Sequence, residues 1–333
     1  MRIAVNTRLL LPGRLDGIGW FTYETLRRLV VQHPEHQFLF LFDRQPDARF
    51  LFGPNVKPLV LSPQARHPVL WQLWFEWSIP RVLKRERADL FLSPEGMMSL
   101  RTAVPTLTVI HDLNFEHASD YLRPSHQRFM THYSPLYAQR ATRIATVSEF
   151  SKQDIVATYG IEPNKIDVVF DGSHAHYRPL SAEERQAVRQ RYTQGCPYYI
   201  FVGTISKRKN LTNTLLAFDR EKPDHPSDSK LLVVGHRFWW QDELQEAYET
   251  MRHRDDVIFL GRADSDDLAL LLGSAEALLY CSLFEGFGIP ILEAFQAEVP
   301  VVTSNVTSMP EVAGDAALLV NPLSVEEIAS ALY

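Results

Sequence analysis

The feature that most constrains this chain is the alternation of short, continuously apolar runs with stretches of helical pattern. Runs such as Phe38-Leu-Phe-Leu-Phe42 and Leu231-Leu-Val-Val234 have no polar face. Parallel strands covered on both sides by helices read this way. Strands are expected near 2–6, 37–42, 56–61, 88–92, 105–110, 143–147 and 166–170, and again near 198–203, 230–235, 257–260, 277–281, 299–303 and 316–320. The alternation predicts an α/β chain of two doubly wound, Rossmann-like domains. A length of 333 residues also favours two domains over one. The polar, turn-rich stretch Asp171-Gly-Ser-His-Ala-His-Tyr-Arg-Pro179 precedes a charged helical pattern, Ser181 to Tyr192. It places the boundary near 175–180, with domains 1–177 and 178–333. Ligands of open parallel sheets sit outside the carboxyl ends of the strands. Two such domains facing each other are expected to enclose a cleft, with function in the loops after strands.

Composition narrows the class. There are 34 basic residues against 40 acidic ones, a net charge of −6, which argues against nucleic acid as a partner. Cys196 and Cys281 both lie in apolar, strand-like contexts and read as reduced core residues. No run approaches the ~18 apolar residues of a membrane span. Met1-Arg-Ile-Ala-Val5 already reads as a strand, with no signal peptide before it. A cytoplasmic protein is expected.

Five loops can carry chemistry. Glu285-Gly-Phe-Gly-Ile-Pro-Ile-Leu-Glu293 follows the apolar run Ala277-Leu-Leu-Tyr-Cys281 and enters a helical pattern from Ile289 to Ala297. Gly286 and Gly288 permit a sharp turn, Pro290 suits a helix start, and a helix N-terminus is a ready anion site. Glu285 and Glu293 beside that site suit the hydroxyls of a sugar and a ribose. In Phe201-Val-Gly203-Thr-Ile-Ser-Lys-Arg208-Lys209-Asn210, three cations stand just before a helix. They oppose its macrodipole, a conflict that a bound diphosphate removes; a solvated basic turn is the bland alternative.

The loop from Thr7 ends Asp16-Gly-Ile-Gly19 before a helix, so Gly17 and Gly19 could face a ligand or simply loosen a helix start. His111, in Val109-Ile-His111-Asp112, leaves the carboxyl end of a strand and could bond a substrate or serve in packing. Most of the other eleven histidines, His174 and His176 among them, read as loop or surface residues. Phe259-Leu-Gly261-Arg262 could offer backbone groups to a base. Asp264-Ser-Asp266-Asp267 reads as a helix N-cap with acidic first-turn residues, not a metal site. No other cluster shows metal spacing, so no catalytic metal is expected. Trp71, Trp74 and Phe75 have the spacing of a core-facing helical stripe. With Trp77, Arg81, Lys84, Arg85 and Arg87 they could instead meet an anionic bilayer.

Together these elements resemble the retaining family-4 glycosyltransferases of the GT-B fold. The carriers are Gly17-Ile-Gly19, His111-Asp112, Thr146-Val-Ser-Glu-Phe-Ser151, Gly203 to Asn210, Glu285 to Glu293, Pro300-Val-Val-Thr-Ser304 and Pro310-Glu-Val-Ala-Gly-Asp-Ala316. The resemblance implies that Arg208 and Lys209 hold the donor diphosphate and stabilise the departing nucleotide. Glu285, with the amides of Phe287 and Gly288, would position the donor sugar, and Glu293 would bind the ribose. His111 would contact the transferred sugar, and Gly17 and Gly19 the phosphates. Gly203, Thr204, Gly261, Arg262 and Ile289 complete the implied donor site.

The implied reaction is retaining, cofactor-free transfer of a hexose, mannose or glucose first, from a GDP- or UDP-linked sugar. The acceptor would be a glycan or lipid-linked glycan in surface polysaccharide synthesis, at or near the inner face of the plasma membrane. A nucleotide-sugar epimerase and a non-catalytic sugar-nucleotide-binding subunit are the other readings. Cys281, Ala297-Glu298 and Asp171 depart from the family's usual residues without removing a needed chemical group. The chain ends at Tyr333 in the opening of a helix, where family members usually continue through helices that return to the first domain.

Overall fold

The computed structural model describes residues 1–13, 15, 17–118, 122–222, 228–236 and 242–332. Asp16, which the sequence reading placed in the first glycine loop, lies outside the described residues. The chain divides into two compact units, Met1–Phe170 and Asp171–Tyr333.

The first unit holds a seven-stranded sheet: β1 (Arg2–Asn6), β2 (Gln37–Phe42), β3 (Val56–Val60), β4 (Leu90–Ser93), β5 (Thr106–Val109), β6 (Arg143–Thr146) and β7 (Ile166–Val168). Its order is β3-β2-β1-β4-β5-β6-β7, and every pairing is parallel. The second holds β8 (Tyr198–Val202), β9 (Lys230–Val234), β10 (Val257–Gly261), β11 (Ala277–Tyr280), β12 (Val301–Ser304) and β13 (Leu318–Val320). Its order is β10-β9-β8-β11-β12-β13, again all parallel. All thirteen expected strands are present. Their apolar runs leave both faces covered: Phe38 to Phe42 and Leu231 to Val234 are buried throughout. Cys281 is buried and free, its thiol pushed up to about 12 by burial.

Two helical readings change. The expected aromatic helix runs through Pro68–Leu73 and Ile79–Arg85 but widens to a π-helical turn at Trp74–Ser78. Pro80 lacks the N–H that a continuous helix needs, and the wide turn absorbs the mismatch. Trp74 and Phe75 are fully buried, as a core-facing stripe requires, while Trp77 is 46% exposed. The acidic helix begins earlier than expected, at Ser265, with Asp264 as its N-cap accepting from the Asp267 amide at 2.8 Å.

Candidate functional site

In each sheet the chain reverses its winding once, between β1 and β4 in the first and between β8 and β11 in the second. Loops leaving adjacent strands on either side of such a reversal diverge and open a crevice at the strands' carboxyl ends. In the second unit those two loops are 203–210 and 281–288. They are stitched together: Leu283 N–H donates to Arg208 O at 2.8 Å, and Arg208 Nη1 to Phe284 O at 2.7 Å.

The stitching brings three charges to one point. Arg208 Nη1 lies 2.6 Å from Glu285 Oε2, and Lys209 Nζ lies 2.7 Å from Glu285 Oε1. Lys209 also donates to the Tyr280 hydroxyl at 2.7 Å and stands 4.6 Å from the centre of its ring. Glu285 is 7% exposed. Burial opposes its ionisation, yet the charges of Arg208 and Lys209 outweigh it and hold the carboxyl down at about 2. This corrects the sequence reading of the cation turn: Glu285 already offsets part of the charge without any ligand. The three cations also form their own short turn, Lys207–Lys209. Asn210, left-handed at φ 57° with its amide on Cys281 O and Pro322 O, separates that turn from the helix Leu211–Glu221. Arg208, Lys209 and Glu285 together sum to one positive charge (two minus one).

That net charge lies beside a helix N-terminus. Gly288 caps the helix Ile289–Gln296, and Pro290 takes its second position, not the first. Gly288 has φ 117°, and a Cβ there would come within 3.2 Å of Ile291 Cδ1. Ser308 Oγ lies 2.9 Å from Glu285 O and 2.8 Å from Phe287 O, which fixes the loop from behind. Replacing Gly288 by alanine is expected to cost about 1–3 kcal/mol through the forced left-handed backbone, read as a lowered urea midpoint.

Glu293, fifth in the helix, is 8% exposed. Burial raises its carboxyl to about 7, against a smaller lowering by the hydrogen bond from Tyr177. A raised carboxyl stabilises the folded protein fully below the ordinary value of 4.5, and that stabilisation is lost as pH rises through 7. Glu293→Gln is therefore expected to match the native protein at pH 4.5. At pH 8 it should be more stable by on the order of 2–3 kcal/mol, read from paired denaturant melts.

Thr204 is exposed in the loop after β8, and Arg262 is exposed after β10. Gly261 accepts from the Gly235 amide at 2.8 Å, so its carbonyl already holds structure. A Cβ on Gly235 would lie 1.8 Å from Gly203 O, so only glycine fits there.

In the first unit His111 follows β5. Its Nε2 donates to Pro94 O at 2.8 Å, and its ring stands edge-on to Phe21 at 4.9 Å. Thr146 Oγ1 donates to Ile110 O at 2.7 Å and Ser151 Oγ to His111 O at 3.1 Å. The Thr146 to Ser151 segment thus holds the histidine's backbone, a role sequence reasoning had not given it. The expected loop through Gly19 is corrected: the helix starts at Gly17, and Gly19 is buried in its first turn. First-turn amides have no intrahelical acceptor to lose, so glycine is tolerated there.

Sequence reasoning also missed Tyr280, Ser308, Gly235 and Tyr177, whose partners are distant in sequence. At the first sheet's reversal it missed a buried pair, Arg8 Nε to Glu95 Oε1 at 2.6 Å, with Asn6 on the same carboxylate.

Residues 15–173 match the family described as Glycosyltransferase Family 4, and residues 183–333 match Glycosyl transferases group 1. The O-antigen chain mannosyltransferase B of Escherichia coli is 33% identical over 227 residues, 67% of this chain and 59% of that protein. The O-antigen chain mannosyltransferase RfbU of Salmonella typhimurium is 26% identical over 274 residues, 81% and 71% of the two chains. Among solved structures, WaaG, a glycosyltransferase involved in lipopolysaccharide biosynthesis, superposes with a TM-score of 0.75 at 18% identity, covering 99% of this chain and 89% of its own. Anabaena Alr3699/HepE in complex with UDP-glucose gives 0.72 at 18% identity, covering 99% and 88%. At such identities the structures establish the shared two-domain fold.

Proposed function

Because the chain belongs to the GT-B glycosyltransferases of family 4 and group 1, we propose that it transfers a hexose from a nucleoside-diphosphate sugar to a glycan or lipid-linked acceptor. Mannose is the first choice, following the mannosyltransferase relatives. The observation that carries this reading is the Arg208–Glu285–Lys209 cluster beside the Gly288-capped helix. A net positive point at a helix N-terminus suits a diphosphate. As the glycosidic bond breaks, negative charge grows on the leaving diphosphate, and the two cations stabilise it without a divalent metal. Transfer is therefore expected to persist in excess EDTA, measured as nucleoside diphosphate released.

Glu285 in this reading is a positioning group. A carboxylate engaged by two cations and held near 2 is a poor nucleophile and a poor base. Its Oε1 lies 2.7 Å from Lys209 Nζ, and the carboxylate has further lone-pair directions with which to accept from a sugar hydroxyl. Glu293 takes the ribose. We infer transfer on the donor's front face with retention, as the family resemblance implies, a course in which Glu285 itself need not attack. Proton NMR of the product's anomeric signal tests it; an inverted linkage would overturn this part of the reading.

The setting is the cytoplasmic side of a membrane. Among the described residues no helix is long and apolar enough to cross one. Val69, Leu73 and Trp77 form an exposed apolar row at four-residue spacing, with Arg81 and Arg101 over the Trp77 ring. That row suits an anionic bilayer surface. Co-sedimentation with anionic vesicles at low salt is expected, weakened by Trp77→Ala; absence of pelleting removes the membrane contact.

A further inference from the structure

The turn between the helix Gly17–Gln32 and β2 gathers three side chains that no step of the transfer uses. His33, Glu35 and His36 each present a ligating atom, and all three atoms lie within 4.8 Å of one another. His33 Nδ1 is 3.2 Å from Glu35 Oε1, and His36 Nδ1 is 3.5 Å from the same oxygen. His36 Nδ1 is buried and makes no hydrogen bond. The two imidazole rings are stacked, 5.6 Å apart and 14° from parallel.

The backbone beneath them is held in place. The Asn55 amide lies 3.1 Å from Val30 O, 3.2 Å from His33 O and 3.2 Å from His36 O. The His36 N–H closes the turn on His33 O at 3.1 Å, and Gln37 N–H continues into the sheet on Met1 O at 2.9 Å. One side chain therefore fixes both histidines' backbones.

We propose that His33, Glu35 and His36 form a site for a borderline transition metal of the zinc class. Bonds of about 2.0–2.1 Å to nitrogen and 2.0–2.2 Å to oxygen at tetrahedral angles set ligand atoms roughly 3.3–3.5 Å apart. The 3.2 and 3.5 Å separations of the two nitrogens from Glu35 Oε1 match that spacing, and side-chain rotation at this surface turn can bring the third, which lies within 4.8 Å, to it. Two imidazoles and one carboxylate also match the donor preference of such metals, whereas magnesium favours all-oxygen shells. A water completes the fourth position. The metal would join the end of the helix to the start of β2 and stabilise the fold by mass action.

The test is calorimetric titration of the chelator-treated full chain with ZnCl2, beside thermal melts with and without zinc. The expected result is one zinc per chain, a raised midpoint, and no comparable binding of Mg2+. His36→Ala should weaken the zinc Kd at least tenfold and abolish the rise in midpoint. Glu35→Gln should weaken it less, since both nitrogens remain. His174→Ala is the control, because the stacked pair His174 and His176 lies outside this turn, and it should leave binding unchanged. Zinc binding that is absent in the native chain, or undiminished in His36→Ala with His33→Ala, overturns the proposal.

Discussion

Replacing Lys209 by alanine lowers nucleoside-diphosphate affinity by roughly ten- to a hundredfold, the worth of one charge-assisted hydrogen bond. Lys209 is well placed for an effect of that size. Its side chain is 11% exposed, so little water competes for the charge, and Tyr280 and Glu285 fix its ammonium. The loss in transfer is larger, about 10²–10³-fold, because charge on the leaving diphosphate grows toward the transition state. Glu285 keeps Arg208 as a partner at 2.6 Å, so the loop retains a tie at this point. Calorimetry with the nucleoside diphosphate measures the first effect and release of that diphosphate the second. Unchanged binding would remove the diphosphate from Lys209's role.

Glu285→Gln separates the sugar from the nucleotide. The amide keeps an oxygen near Arg208 and Lys209 but removes their counter-charge, leaving the point more positive. Nucleoside-diphosphate affinity should stay level or tighten, while hexose transfer falls about 10²–10³-fold as the sugar loses its positioning carboxylate. Removing one member of a buried ion cluster should also cost roughly 3 kcal/mol of stability at neutral pH. The pH dependence has a definite sign. Glu285 is depressed from 4.5 to about 2, so its stabilisation is present above 4.5 and is lost as pH falls through 2. Native and variant melts should therefore converge toward the acid end. Parallel losses of nucleotide affinity and transfer would assign Glu285 to the phosphates instead.

The strands were legible because a doubly covered parallel strand must be apolar throughout, and Phe38 to Phe42 or Leu231 to Val234 can be little else. The cation turn and the glycine loop were legible as separate loops after strands. Their junction was not, since Glu285 reaches Arg208 only because β8 and β11 are neighbours at the sheet's reversal. Strand order is a property of the folded sheet, and no local spacing encodes it. The same non-locality hid Tyr280, Ser308 and the Arg8–Glu95 pair. His33, Glu35 and His36 escaped for a different reason: their spacing becomes a cluster only through the turn that Asn55 holds. The aromatic stretch shows the limit of periodicity. Trp71, Trp74 and Phe75 were placed correctly against the core, but the wide turn at Trp74–Ser78 swung Trp77 outward.

On the proposed reading the second unit binds a sugar nucleotide through the Arg208–Glu285–Lys209 cluster after β8 and β11. Calorimetric titration with GDP, UDP, ADP and the matching hexose donors, in excess EDTA, tests it most directly. One site per chain is expected, selective for one of the three bases, with affinity that weakens as salt rises. No binding of any of the six ligands, or binding that requires a divalent metal, would contradict it.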